Sequence, residues 1–257
     1  MVAFFCVGLG EFLTFAAMVL GILVNMGQIS QNIVARNIYI TSLDTTGFET
    51  ALRTNANNQN VNVDDIFAAN QAAPELAGNG VKNEYKWGLY SFCAGAENFK
   101  TIACSSRNFG YKYQPLNVLQ ADISSQYRSF VSETVSASTF QDSSYLARFS
   151  NAANYIIFVA TVVIGVSFLI AFLAHRFAFL MGALLALAGA ALFFVGAAIW
   201  TAIIYKVRHS LADQQNTSGL DANYGNALWM TWAAGGASVL AVIPLLISCI
   251  SGRRSKY

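Results

Sequence analysis

The sequence predicts a membrane protein, a four-transmembrane-helix bundle carrying a small extracellular β-sheet plus helix. Three observations predict it. Of the 257 residues 55% are hydrophobic and only 11% charged, less than half the charged share of ordinary soluble domains. Most charged residues fall between Arg36 and Arg148, whereas the windows Val2–Met26, Ala152–Ala174, Phe177–Tyr205 and Ala227–Ile250 together hold a single Asp, Glu, Lys or Arg, namely Glu11. The charged segment also holds two of the four cysteines, Cys93 and Cys104.

A hydrocarbon core about 30 Å thick needs roughly 20 apolar residues as helix. Backbone polar groups in lipid must be satisfied within the segment, so each window reads as a helix. The chain then divides into transmembrane helix 1 (1–29), an extracellular loop domain (30–151), transmembrane helices 2 (152–174) and 3 (177–205), a second extracellular loop (206–226), transmembrane helix 4 (227–250) and a basic cytosolic tail (251–257). The first window lacks a basic flank and exceeds a signal-peptide core, so it reads as an uncleaved anchor. Arg176, Arg253, Arg254 and Lys256 outweigh Lys206 and Arg208, which places both termini in the cytosol. The sole Asn-x-Ser/Thr sequon, at Asn216, then falls outside as a glycosylation candidate, as do Cys93 and Cys104. A net charge of +2 without a basic stripe excludes nucleic acid as a partner.

The first loop is too long to be structureless. Asn37–Leu43 is rich in β-branched and aromatic residues and reads as a strand, with further strand-like runs at Trp87–Cys93, Asn98–Cys104 and Phe109–Tyr113. Ile123, Tyr127, Phe130, Val131 and Val135 then recur on one face of an amphipathic helix. The Asn-rich run Asn55–Asn60 reads as an exposed loop. Joining Cys93 to Cys104 would remove chain entropy worth about 2–3 kcal/mol. Two buried free thiols are the alternative, and zinc is disfavoured because the loop has no histidine.

Trp87-Gly88-Leu89-Tyr90-Ser91-Phe92-Cys93, followed by Cys104, resembles the first-loop motif of the claudin superfamily, Gly-Leu-Trp, two residues and Cys before a second Cys. Within that superfamily, Leu89–Gly95, Phe109–Pro115 and the oversized loop resemble the fungal Sur-seven/PalI family. The resemblance implies a claudin-like fold, a plasma-membrane location and a place in eisosome-type microdomains. Tyr90 replaces the claudin Trp and no claudin-like PDZ-binding ending follows Ile250, so paracellular sealing is not implied. The short segment Ser251–Tyr257, against the long cytosolic tail of PalI-type proteins, favours the structural branch. On residue chemistry alone, Gly88 permits close backbone approach, and Trp87, Leu89 and Tyr90 suit the headgroup boundary, where they would seat the sheet on the membrane. Packing in the core of the loop domain is the alternative.

An ionisable group within a span marks Glu11 as an intramembrane acid of functional interest, against a hydrogen-bonded structural carboxyl. His175 and His209 fall on opposite membrane faces, and no catalytic motif occurs. The expectation is a non-enzyme with no cofactor and no metal. Gly182, Gly189 and Gly196 in the third span and Gly235 and Gly236 in the fourth are small helix-packing positions, within the bundle or between proteins. Cys6 and Cys249, near the cytosolic ends of their spans, are palmitoylation candidates. The expected function is a non-enzymatic plasma-membrane organiser of eisosome-type microdomains influencing cell-wall organisation and endocytosis. Its expected partners are membrane lipids, other microdomain proteins, further copies of itself and the cell wall. The alternatives are a PalI-type accessory subunit of an ambient-pH sensing complex and a channel or transporter subunit with Glu11 in the pathway.

Overall fold

The computed structural model describes residues 2–59, 66–67, 80–95, 102–135, 138–171, 173, 176–213 and 218–251. Among the described residues, four helices are long and apolar enough to cross a membrane. They are α1 (Val2–Met26), α7 (Ser143–Ala171), α8 (Arg176–Ala212) and α9 (Asn226–Ser251). Five short strands, β1 (Thr41–Asp44), β2 (Glu84–Trp87), β3 (Phe92–Gly95), β4 (Ile102–Cys104) and β5 (Asp221–Tyr224), form one sheet in the order β4-β3-β2-β1-β5. Every pairing is antiparallel, and the second loop supplies the edge strand β5. The smaller helices are α2 (Ile33–Asn37), α3 (Thr46–Gln59), α4 (Pro115–Asp122), α5 (Arg128–Thr134) and α6 (Ser138–Gln141).

The chain separates into two compact units. A helix unit comprises α1 to Asn25, α7 from Ala152, α8 to Ala198 and α9 from Ala227. A sheet unit comprises Met26–Asn151 and Ile199–Asn226. In the helix unit, small residues let backbones approach where lipid removes any hydrophobic drive. A methyl group on Gly189 or Gly196 would lie 2.5 Å from Ile164 or 2.6 Å from Ile157, and one on Gly235 would lie 2.9 Å from the Phe194 ring. Ser167 donates to the Gly182 carbonyl at 2.8 Å, and Asn25 donates to Thr161 Oγ1 at 3.0 Å, so polar groups in this unit are spent on helix contacts.

Several local expectations change. Asn37–Leu43 is not one strand: α2 ends at Asn37 and β1 begins at Thr41, because the Gln28 side chain donates to the carbonyls of Ala35, Arg36 and Ile38 and holds that stretch in a turn. Trp87–Cys93 comprises the end of β2, a turn closed by the Gly88 amide donating to Ser91 O at 2.9 Å, and the start of β3. Of Asn98–Cys104 only Ile102–Cys104 falls among the described residues, as β4. Phe109–Tyr113 forms no strand, since Gly110 takes a φ of 70°. The amides of Asn108 and Tyr111 bond instead to the carbonyls of Tyr90 and Leu89. Asn55–Gln59 lies in helix α3 rather than in a loop, because Phe48, Leu52 and Ala56, spaced four apart on its inner face, are all buried. Tertiary burial there overrides the turn preference of asparagine. The amphipathic face around Ile123–Val135 divides into a 3₁₀ turn at Ser125–Tyr127 and the short helix α5, with Ile123, Phe130, Val131 and Val135 buried.

Candidate functional site in the sheet unit

Alternation along β2 puts Tyr85 and Trp87 on one face and Lys86 on the other. The register sets Trp87 opposite Phe92, and these rings lie 6.0 Å apart. Tyr113 meets Trp87 edge-on at 5.2 Å and Trp200 at 5.6 Å, which continues the aromatic cluster onto α8. Such pairs contribute about 0.5–1.5 kcal/mol each beyond their burial. Trp87 and Leu89 are 0% exposed, so they are core residues of this unit. That corrects the expectation that they seat the sheet at the headgroup boundary: the inward face of β2 and the turn after it direct them to the aromatic cluster. Only Tyr90 of the motif retains partial exposure, stacked on Phe109 at 5.4 Å.

Gly88 has a definite steric task. A Cβ there would fall 2.3 Å from the Gly27 carbonyl oxygen. The next residue, Gln28, adopts φ 57° and is fully buried, and its carbonyl accepts from Ser91 Oγ at 2.5 Å. The segment that follows the first span is thereby tied to the motif turn. Nothing in the local sequence around Gln28 marks it, because its role depends on carbonyls up to ten residues away.

Cys93 and Cys104 face each other across β3 and β4 and form a disulfide. It closes a short loop between two strands of four and three residues. The loop-closure contribution of about 2–3 kcal/mol is large for so short a ladder.

A buried polar group completes the unit. Lys82 and Asp122 are 1% and 2% exposed, with Nζ 3.9 Å from Oδ2. Lys82 Nζ also donates to Gly80 O at 2.6 Å, and Tyr85 Oη donates to Asp122 Oδ2 at 2.5 Å. The Lys82 amide donates to Tyr85 Oη at 3.1 Å, and Thr45 Oγ1 donates to the Lys82 carbonyl. Burial lowers the Lys82 pKa, with the Asp122 charge acting against that shift. Burial first, then the charge and hydrogen bond of Asp122, raise Tyr85 well above the ordinary phenol value of 10.0.

Burial also pushes Tyr90 and Tyr111 up to about 12, and raises Tyr113 further. A folded-state pKa above the unfolded one means that the native protein keeps protons which the unfolded chain releases. Stability contributed this way is complete below pH 10 and is lost as pH rises through the folded values. Melting of the detergent-purified protein is therefore expected to fall steadily above pH 10, together with a phenolate absorbance rise delayed relative to free tyrosine. Phenols that all titrate near 10 in the native state would contradict this.

The other singled-out residues are dispersed. Gly182, Gly189, Gly196 and Gly235 contact neighbouring helices of the same chain, whereas nothing lies within 4 Å of a Cβ built on Gly236. Glu11 is part-exposed on α1. Asn216, His175 and the side chains of Cys6 and Cys249 lie outside the described residues. Among the described residues, no three His, Cys, Asp or Glu side chains converge as metal ligands.

These features define a class, the four-span membrane proteins in which a claudin-like, disulfide-stapled antiparallel sheet accompanies the helix bundle. Within that class the chain belongs to the SUR7/PalI family, whose family model matches residues 6–244. No curated protein matches the chain.

Proposed function

We propose that this protein is a non-enzymatic plasma-membrane organiser, a structural component of eisosome-type microdomains that influences cell-wall organisation and endocytosis. The observation that carries the reading is the family match across nearly the whole chain, motif included. The buried charges of the sheet unit support it, because they are engaged in holding the fold: Lys82, Asp122 and Tyr85 satisfy one another, while the Gln28 amide nitrogen ties a turn. The disulfide favours a sheet unit on the oxidising side of the membrane with both termini in the cytosol. Membrane lipids and other microdomain proteins are the partners of this reading.

Imaging of the tagged full chain tests it. Discrete surface patches are expected, with altered patch integrity and wall-stress sensitivity on deletion. A uniform surface signal and an unchanged deletion strain would overturn the proposal. Stable co-purification with a multi-span pH sensor would assign the accessory-subunit role in its place.

A further inference from the structure

We infer that Cys104 is a thiol-exchange site, at which a low-molecular-weight thiol opens the Cys93–Cys104 disulfide reversibly and from one side only. The two sulfurs occupy unequal positions. β3 is flanked by β2 and β4, whereas β4 is the edge strand of the sheet. Cys93 is 0% exposed, and Cys104 is part-exposed. Exchange needs a thiolate to reach a disulfide sulfur, so access decides which of the two is attacked.

The line of attack sharpens the difference. Cys93 and Cys104 are opposite each other in the β3–β4 register, so their S–S bond lies across the two strands. Displacement at sulfur proceeds along the bond being broken, from the side away from the leaving sulfur. On Cys104 that line arrives from the outer edge of the sheet, where among the described residues β4 has no further strand beside it. On Cys93 it arrives from β2, where Lys86 is the register partner of Cys93 on the same face and is only 9% exposed. Charge does not reverse the choice, because Lys86 Nζ lies 3.1 Å from Glu84 Oε2 and the pair carries no net charge.

The external thiolate bonds to Cys104 Sγ, the bond between Cys93 and Cys104 breaks, and its electron pair leaves on Cys93 Sγ. The proton that the thiol lost on ionising returns to Cys93, so the attacking sulfur is oxidised to a mixed disulfide and Cys93 is reduced to a thiol. That thiol has an acceptor in place, since Cys93 Sγ lies 3.5 Å from the Gln28 carbonyl oxygen. β4 then keeps its pairs Ala94–Ala103 and Gly95–Ile102 but loses its covalent tie to β3. Beside the modified residue, Ser105 still donates its amide to Phe92 O at 2.8 Å and accepts the Phe92 amide on Oγ at 3.1 Å. Those bonds hold Cys104 next to Cys93, so the freed thiol expels the adduct and restores the disulfide when the external thiol is withdrawn.

Brief exposure of the purified full chain to reduced glutathione, followed by rapid acid quench, alkylation and peptide mass spectrometry, tests the site. Wild type is expected to carry glutathione on Cys104 about ten-fold more often than on Cys93, the bias that unequal access imposes on exchange. Cys93 is expected to be alkylated in the same molecules. The bias is expected to vanish in denaturant, where both sulfurs are reached alike. Lys86→Ala, verified to melt like wild type, clears the path to Cys93 and is expected to raise its share of the adduct. Equal adducts on the two cysteines of the folded protein, a bias that persists in denaturant, an unchanged ratio in Lys86→Ala, or exchange that occurs only after unfolding would overturn the inference.

Discussion

Asp122→Ala is expected to destabilise the sheet unit by about 3–5 kcal/mol, the cost of leaving a buried cation without its partner. Lys82 is 1% exposed and its ammonium has two anchors, Gly80 O and the Asp122 carboxylate. Truncating Asp122 removes the carboxylate that opposes it among the described residues and also strips Tyr85 Oη of its acceptor. Burial already lowers the Lys82 pKa and Asp122 works against that, so the variant's Lys82 sheds its proton more readily than the wild-type residue. A lowered folded-state pKa imposes a penalty that is complete at low pH and fades as pH rises toward the ordinary lysine value. The destabilisation is thus expected to shrink between neutral pH and about pH 10. Lys82→Met in the Asp122→Ala background should recover part of the loss, since an apolar side chain of similar volume leaves no charge to satisfy. Denaturant unfolding of the four members of this cycle gives the coupling directly. A loss below about 1 kcal/mol for Asp122→Ala, or no coupling to Lys82, would show that the pair is not what holds this region.

Gly88→Ala is expected to cost about 3 kcal/mol, at the upper end for inserting one methyl group into a packed site. Its Cβ would meet Gly27 O at 2.3 Å and Gly27 C at 2.9 Å, and a main-chain carbonyl cannot rotate aside as a side-chain tip can. Relief requires moving the segment that leads out of α1, together with Gln28 and its bonds to Ser91, Ala35, Arg36 and Ile38. Gly236→Ala provides the contrast, because nothing lies within 4 Å of its Cβ position and an alanine there is near neutral or slightly favourable to helix. Thermal melting of both variants in one detergent separates the cases. Comparable melting temperatures for Gly88→Ala and wild type would mean that the close approach is not structurally required.

The four spans, the cysteine pair and the motif between Trp87 and Cys104 are legible in the residues alone, because each signal is local or compositional. A run of some 20 apolar residues has one stable solution in lipid whatever surrounds it. Strands of three or four residues hold too few positions for a period-2 pattern to declare itself, so β1 lies away from its expected place and β5 falls within an expected loop. Helix α3 was concealed by its asparagines and decided by the burial of Phe48, Leu52 and Ala56. Long-range packing makes Trp87 and Leu89 core rather than boundary residues, lets Gln28 secure the motif turn, and buries both Lys82 and Asp122. The reason is the same in each case: the free energy of burying a group depends on partners brought from elsewhere in the chain, as Tyr85 and Asp122 are from 37 residues apart, and spacing along the sequence carries no record of that meeting.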